Sequence, residues 1–243
     1  MERIKRIIKS IFVFKNWPLY FTEKFSKNSY SIFDTRKGVK IKTRRETADK
    51  GIILEIFFDK TYNPNDFEIK DGDTVIDIGG HIGVFSLYAS TFTRNKIICF
   101  EPIKENFNLL NENIRINNKK NIKAYNLAVC NQKKLKIFLN ENNTGGHSYF
   151  DKTEKYEIVN CITLEEIFKN ENIERCNFLK IDCEGCEHNI ILNTPYYIFD
   201  KIDKICIEYH DFKNYKKEII NFLRRMSFNI KTKGILIYAN KSK

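Results

Sequence analysis

Nowhere in the 243 residues is there a run close to the ~18 consecutive apolar positions that a membrane-spanning helix needs. The N-terminus also lacks the apolar core and small-residue cleavage site of a secretory leader. These two absences predict a soluble, cytoplasmic chain that is not exported. No internal repeat and no low-complexity linker interrupts the sequence, which excludes a solenoid or a string of tethered modules. A disulfide framework is not expected either, because the seven cysteines (99, 130, 161, 176, 183, 186 and 206) are odd in number and scattered, as reduced thiols are. What is present suffices for self-supporting folding: 42% hydrophobic and 30% charged residues can build one large core.

The net charge of +11 is unevenly distributed. Residues 1–50 carry 14 Lys/Arg against 5 Asp/Glu, leaving 28 against 26 for the rest. The main body therefore offers no basic stripe, and no DNA partner is expected. Residues 1–15 place Ile4, Ile7, Ile8, Ile11 and Phe12 at helical spacing, with Arg3, Lys5, Arg6 and Lys9 largely elsewhere on the wheel. This is a basic amphipathic helix. It either lies against an anionic membrane, as a peripheral contact at the inner membrane surface, or docks on its own domain or a dimer partner. Residues 36–58 alternate in two bursts, at Val39 and Ile41 and again from Ile52 to Phe58, and predict strands of an N-terminal hairpin or cap. Residues 1–60 thus read as an extension and 61–243 as the main domain, with nothing to set an oligomeric state.

From residue 73 the pattern is regular. Thr74–Ile78, Lys96–Phe100, Ile122–Leu127, Phe178–Asp182 and Lys204–Glu208 read as strands, and Val84–Thr91, Lys104–Asn117 and Tyr215–Arg225 as helices. Further strand signals lie at Leu135–Leu139 and Glu157–Cys161, before a helix capped by Thr163, and the pair Phe228–Lys231 and Ile235–Tyr238 closes the chain. Alternating strands and ten-residue helices mean parallel crossovers: an α/β, Rossmann-like, mostly parallel sheet with helices on both faces and an antiparallel edge.

In such a sheet the ligand sits at the carboxyl ends of the strands, so the first strand-to-helix turn is the place to look. It reads Asp77-Ile-Gly79-Gly80-His81-Ile-Gly83. Gly79 allows a sharp turn and Gly83 close packing at the helix start, while the helix amides favour polar or anionic groups. Counted from Gly79, however, His81 and Val84 occupy the second and third glycine positions of the dinucleotide fingerprint. A bulky second residue crowds a pyrophosphate. No Lys-Ser/Thr follows to make a Walker loop. Glu101 ends the second strand 24 residues after Asp77, placed to accept both hydroxyls of a ribose. A ribose without a pyrophosphate suits S-adenosylmethionine, with Asp77 supporting the turn and the charged methionine portion.

The blocks Asp71-Gly-Asp-Thr-Val-Ile-Asp-Ile-Gly-Gly-His-Ile-Gly-Val-Phe-Ser86, Phe100-Glu-Pro102, Asn126-Leu-Ala-Val129, Gly145-Gly-His-Ser148 and Leu179-Lys-Ile-Asp-Cys-Glu-Gly-Cys-Glu187, in this order, resemble the FkbM family of S-adenosylmethionine-dependent methyltransferases. The resemblance runs from about Tyr62 to about Asp211. It implies a seven-stranded class I methyltransferase sheet and methylation of a hydroxyl on a sugar, glycan or polyketide-type acceptor. It also implies that Asp77, Gly79, Gly83 and Glu101 serve the cofactor, with Gly80, His81 and Pro102 beside them in the same blocks. The first 60 residues match no motif.

Lys180, Asp182, Glu184 and Glu187 crowd the end of the fourth strand of the main domain. Methyl transfer to an alcohol is an in-line displacement that needs a base for the hydroxyl proton. Asp182, ending an apolar strand, is the first candidate. His210, ending the next strand, is the second, and Glu184 stands beside them. Alternatively Asp182, Glu184 and Glu208 hold a divalent cation that acidifies the acceptor. Cys183-Glu-Gly-Cys186 has no partner pair and reads as incidental, while His147 on the Gly145–Ser148 tip is placed to enter the site if the tip closes. Two other functions fit parts of the sequence. RNA methylation is suggested by net charge and by Asn111-Glu-Asn-Ile-Arg-Ile-Asn117, but the acidic Asp182-Cys-Glu-Gly185 stands where a base-gripping motif belongs and would repel phosphate. A non-catalytic cofactor-binding scaffold tethered by the basic helix is the other.

Overall fold

A computed structural model of the chain describes residues 2–139, 155–210 and 215–241. The tip Gly145–Ser148, with His147, and Asp211 lie outside the described residues. The N-terminal part runs α1 (Glu2–Val13), α2 (Leu19–Thr22), a hairpin of β1 (Tyr30–Asp34) and β2 (Lys40–Arg44), and α3 (Asp49–Phe57). Then follow β3 (Val75–Ile78), α4 (Val84–Ala89), β4 (Ile97–Phe100), α5 (Lys104–Ile116) and β5 (Ile122–Tyr125). Next come β6 (Ala128–Val129), β7 (Lys134–Phe138), β8 (Tyr156–Ile162), α6 (Leu164–Asn170), β9 (Phe178–Ile181), α7 (Glu187–Asn193) and α8 (Tyr196–Asp200). The chain closes with β10 (Lys204–Glu208), α9 (Lys216–Arg225), β11 (Phe228–Lys233) and β12 (Leu236–Lys241).

The main sheet has seven strands in the order β11-β12-β10-β9-β3-β4-β5. β10, β9, β3, β4 and β5 are parallel, and β12 runs antiparallel to both β10 and β11. The order reverses at β3, which lies between β4 and β9, so a crevice opens at their carboxyl ends. β3, β4 and β9 are buried at every position, as strands covered on both faces must be. Their period of two sorts the side chains: Ile76, Ile78, Ile98, Phe100, Leu179 and Ile181 enter one apolar cluster, and Val75, Ile97 and Phe178 the other. The positions left on the second face are Asp77, Cys99, Lys180 and Cys206, which stand side by side in register across four strands. Thr163 caps α6 by a reciprocal box with Glu166, the arrangement its position predicts.

The N-terminal 60 residues pack into the second cluster, where Phe14, Phe33, Ile41 and Ile53 meet Val75, Phe85 and Phe178. Two expectations are corrected here. Residues 52–58 are not a strand, because Ile53, Leu54, Ile56 and Phe57 bury one face of α3 at helical spacing. In a run this apolar the period of 3.6 is hidden from simple alternation. α1 is helical, but it buries only Ser10 and Val13, leaving Ile4, Ile8 and Phe12 exposed at 62%, 45% and 67%. The apolar stripe is wider than the contact with α3, so only its inner edge docks, where Lys9 pairs with Asp59.

The outer edge of β2 is sealed by side chains rather than by another strand. On α5, the Asn113 amide accepts from Lys42 N (2.7 Å) and donates to Lys42 O (3.0 Å) and Ile82 O (2.9 Å). One turn on, Asn117 accepts from Lys40 N (2.7 Å) and donates to Lys40 O (2.6 Å). The asparagines that suggested an RNA-binding helix are thus spent on the fold. Replacing the fully buried Asn113 with Ala strands three backbone groups and should cost about 2–3 kcal/mol, lowering the melting temperature by roughly 5–10 °C in a thermal scan.

Candidate active site

A cavity of about 290 Å³ lies at the carboxyl ends of β3, β4 and β9. Its floor is the glycine turn. Gly79 has φ +78°, and a Cβ there would stand 1.7 Å from the Asp182 carbonyl oxygen, so only glycine fits. Gly80 is as confined, since a Cβ would meet Cys99 Sγ at 2.1 Å. Gly83 sits behind the wall, where a Cβ would press on Leu110. Asp77 is also behind it. Fully buried, it accepts from Ser86 Oγ (2.7 Å) and pairs with Lys180 Nζ (3.1 Å). Lys180 in turn donates to Gly79 O (2.7 Å) and stands 3.5 Å from Asp182 Oδ2. Burial lowers the pKa of Lys180, but Asp77 and Asp182 more than restore it and hold the ammonium charged.

Glu101 and Pro102 line one end of the cavity, beside Ile103, Asn106 and Leu127. The Glu101 carboxylate is oriented by His81 N (2.8 Å) and Ile103 N (2.9 Å). Burial nevertheless pushes it up to about 7, so hydroxyl donors from a ligand would favour its anion. The His81 ring faces the N-terminal segment, with Nε2 2.9 Å from Arg44 Nη2 and 3.5 Å from Asp49 Oδ1. Arginine has no acceptor, so Nε2 accepts. Arg44 also reaches Asn106 Oδ1 (2.8 Å) and Asp49, locking the turn to β2, α3 and α5.

The other end is acidic. Glu55, Asp182, Glu184 and Glu208 line it together with Tyr62. The Tyr62 hydroxyl lies 2.9 Å from Asp182 Oδ2 and 2.6 Å from Glu208 Oε2. Burial and neighbouring carboxylates, Asp182 foremost for Glu208, push Glu184 and Glu208 up to about 7 each. His210 is not part of the lining. Its Nδ1 meets Glu187 (3.0 Å) and its Nε2 Glu184 (3.4 Å); burial lowers its pKa, but these carboxylates outweigh it and raise the ring to about 9. The geometry makes His210 a counter-ion rather than the second base expected of it. Glu187, 1% exposed, accepts from Cys183 N and Gly185 N and braces the turn instead of facing solvent. Cys183 lies buried as a thiol that burial raises well above its usual value, which makes it unreactive.

Ligand atoms of Asp182, Glu208 and His210 fall within 4.8 Å of one another, close enough to share an ion. Yet Tyr62 bridges the two carboxylates and Glu184 and Glu187 engage the imidazole, so the protein satisfies the cluster from within. These residues do not fit the divalent cation considered from sequence, and none is assigned. The other end does fit S-adenosylmethionine: the Gly79 cradle excludes any Cβ, and Glu101 is a buried acceptor carboxyl opening into the cavity. Arg44, Asp49, Glu55 and Tyr62 escaped the sequence reading. Only Glu55, a lone charge within the apolar run Ile52–Phe58, carried a signal.

Residues 77–230 match the methyltransferase FkbM domain. The chain belongs to the FkbM methyltransferase family. A curated relative from Beauveria bassiana, "Methyltransferase 1", is 26% identical over 182 residues, 65% of this chain and 72% of that protein. AMB antimetabolite synthetase AmbE of Pseudomonas aeruginosa is 20% identical over 229 residues; the match covers 78% of this chain and 11% of that much longer protein. Among solved structures, a precorrin-6y C5,15-methyltransferase from Geobacter metallireducens is similar with a TM-score of 0.46 and 12% identity, over 71% of this chain and 82% of that one. No described helix is long and apolar enough to cross a membrane.

The raised carboxyls set a direction for stability. Unfolded Glu ionises near 4.5 and Glu101, Glu184 and Glu208 near 7, so the folded state holds extra protons between these values and loses stability as pH rises through 7. His210 stabilises fully below 6.5 and its contribution is lost as pH rises through about 9. The melting temperature should therefore fall from pH 5.5 to pH 8.5. A Glu184→Gln/Glu208→Gln variant should narrow that fall by roughly 5 °C.

Proposed function

We propose that this FkbM methyltransferase uses S-adenosylmethionine to methylate a hydroxyl of a sugar, glycan or related small molecule. The observation that carries the proposal is the placement of Asp182 in the cavity wall, across from Glu101, with Lys180 and Tyr62 fixing one of its oxygens. Gly79, Gly80 and the His81 amide would floor the cofactor site, and Glu101 with Pro102 would receive the ribose. The bound cofactor supplies a methyl group on a cationic sulfur, ready for in-line displacement. Asp182 takes the acceptor's hydroxyl proton as the new oxygen–carbon bond forms. Four carboxyl side chains at the acceptor end disfavour a phosphate-bearing acceptor, and Asn113 and Asn117 are engaged with β2, so both observations favour a small hydroxyl acceptor over RNA.

Calorimetric titration with S-adenosylmethionine tests the cofactor site: Glu101→Ala should weaken binding about tenfold or more. Asp182→Asn should bind within about threefold of wild type, while formation of S-adenosylhomocysteine against a panel of sugars falls about 100-fold. Equal loss of binding and turnover in that variant would make Asp182 structural, and methyl transfer to RNA alone would overturn the acceptor class.

The exposed row Ile4, Ile8 and Phe12, beside exposed Lys5 and Arg6, supports a second element: contact of α1 with an anionic membrane surface. Sedimentation with phosphatidylglycerol vesicles should lose the protein to the supernatant on Ile8→Glu/Phe12→Glu substitution. Failure of the wild type to bind would overturn this contact.

A further inference from the structure

Tyr62 belongs to no motif and sits between α3 and β3, yet it is 6% exposed and held in one orientation. Its ring meets Phe85 edge-on at 5.5 Å, and Lys180 Nζ lies 5.2 Å from its centroid. The hydroxyl oxygen has two carboxylates at hydrogen-bond distance, Glu208 at 2.6 Å and Asp182 at 2.9 Å. A phenol carries one proton, and an ionised carboxylate has none to offer. If both acids were ionised, one of the two contacts would set lone pair against lone pair within a buried wall that also holds Glu55 and Glu184. Ionising the phenol would make this worse, and burial with the two acids pushes Tyr62 well above its ordinary value. The two contacts together require a second proton.

The fixed charges decide where it resides. Lys180, itself 3% exposed, stands 3.5 Å from Asp182 Oδ2 and favours an anion there. The cation nearest Glu208 is His210, whose Nε2 is 3.9 Å from Oε1, and its ring is divided between Glu184 and Glu187. The other groups facing Glu208 are acidic or neutral: Glu55 from α3, Asp182 and Glu184 from the turn after β9, Tyr62, and Tyr238 from β12.

We propose that Glu208, Tyr62 and Asp182 form a directed proton chain, in which the Glu208 O–H donates to Tyr62 Oη and the Tyr62 O–H donates to Asp182 Oδ2. Glu208 and Tyr62 are then positioning residues: they hold the Asp182 carboxylate in one orientation and remove one negative charge from the acceptor wall. The catalytic meaning rests on Asp182 being the base, as proposed above. The proton on Glu208 does not, so the two are tested separately.

Carboxyl carbon-13 resonances of protein labelled at Glu Cδ and Asp Cγ test the chain directly, with Glu208→Gln and Asp182→Asn assigning the two signals. Glu208 should be protonated at pH 6, titrate with a midpoint near 7, and be accompanied by an ionised Asp182. The decisive result is the sign of the change in Tyr62→Phe. The singly protonated pair satisfies two hydrogen bonds through Tyr62 and the doubly ionised pair only one, so removing the hydroxyl should lower the Glu208 midpoint by about 0.5–1 pH unit. A plain donor to a Glu208 anion would give the opposite sign, and an upward shift overturns the chain. So does a wild-type protein with both carboxyls ionised at pH 6, a measurement that needs no variant to fold beyond the two used for assignment. S-adenosylmethionine binding measured on the same samples reports on the methyltransferase site independently: intact binding without the Glu208 titration removes the chain alone.

Discussion

A buried ion pair at the reversal point of the sheet organises everything around it. Asp77 and Lys180 stand opposite each other in register on β3 and β9, with Asp77 fully buried and Lys180 3% exposed. Removing two charges from water is costly, and such a pair persists only where its remaining hydrogen-bonding capacity is met. Here it is met by Ser86 on α4 and by the Gly79 carbonyl. The pair therefore joins two strands from distant parts of the chain and holds the glycine turn, and through the contact of Lys180 with Asp182 it also places the acid at the acceptor end. Replacing it with apolar residues could preserve a sheet, but nothing would then tie the cofactor floor to the acceptor wall.

The cavity is polarised by construction. At one end Glu101 is held by two backbone amides. At the other, four carboxyl side chains share a wall with Tyr62, and the protein stabilises this crowding by a lysine, an imidazolium and raised carboxyl pKa values. A site that concentrates negative charge while excluding water favours a cationic donor and a neutral hydroxyl acceptor and penalises phosphate. The same economy explains why His210, placed at a strand end where a base is often found, is better used as a charge.

The N-terminal 60 residues are part of the site as much as of the fold. Arg44 and Asp49 lock the His81 ring, Glu55 lines the acceptor end, and Asn113 and Asn117 stitch β2 to α5. The acceptor end is thus built half from the conserved-looking sheet architecture and half from a segment that matches no family pattern, a division that lets acceptor choice vary while the cofactor end stays constant.

The amino-acid sequence by itself determined the parallel sheet, the glycine turn, Glu101 and the strand that ends at Asp182. Each is encoded by neighbours in the chain: a period of two in buried strands, a left-handed turn that only glycine fits, an acid at a strand end. It did not reveal that Ile52–Phe58 is helical, because a run apolar at nearly every position hides its period. Nor did it reveal which edge of α1 docks, because the stripe is wider than the surface it meets. Only the tertiary structure decided that Tyr62 stands between Asp182 and Glu208, residues 120 and 146 positions away in the chain. No local preference links residues so far apart; their meeting follows from how the N-terminal segment packs on the sheet, and hydrogen-bond geometry at that contact exists only once the whole core is assembled.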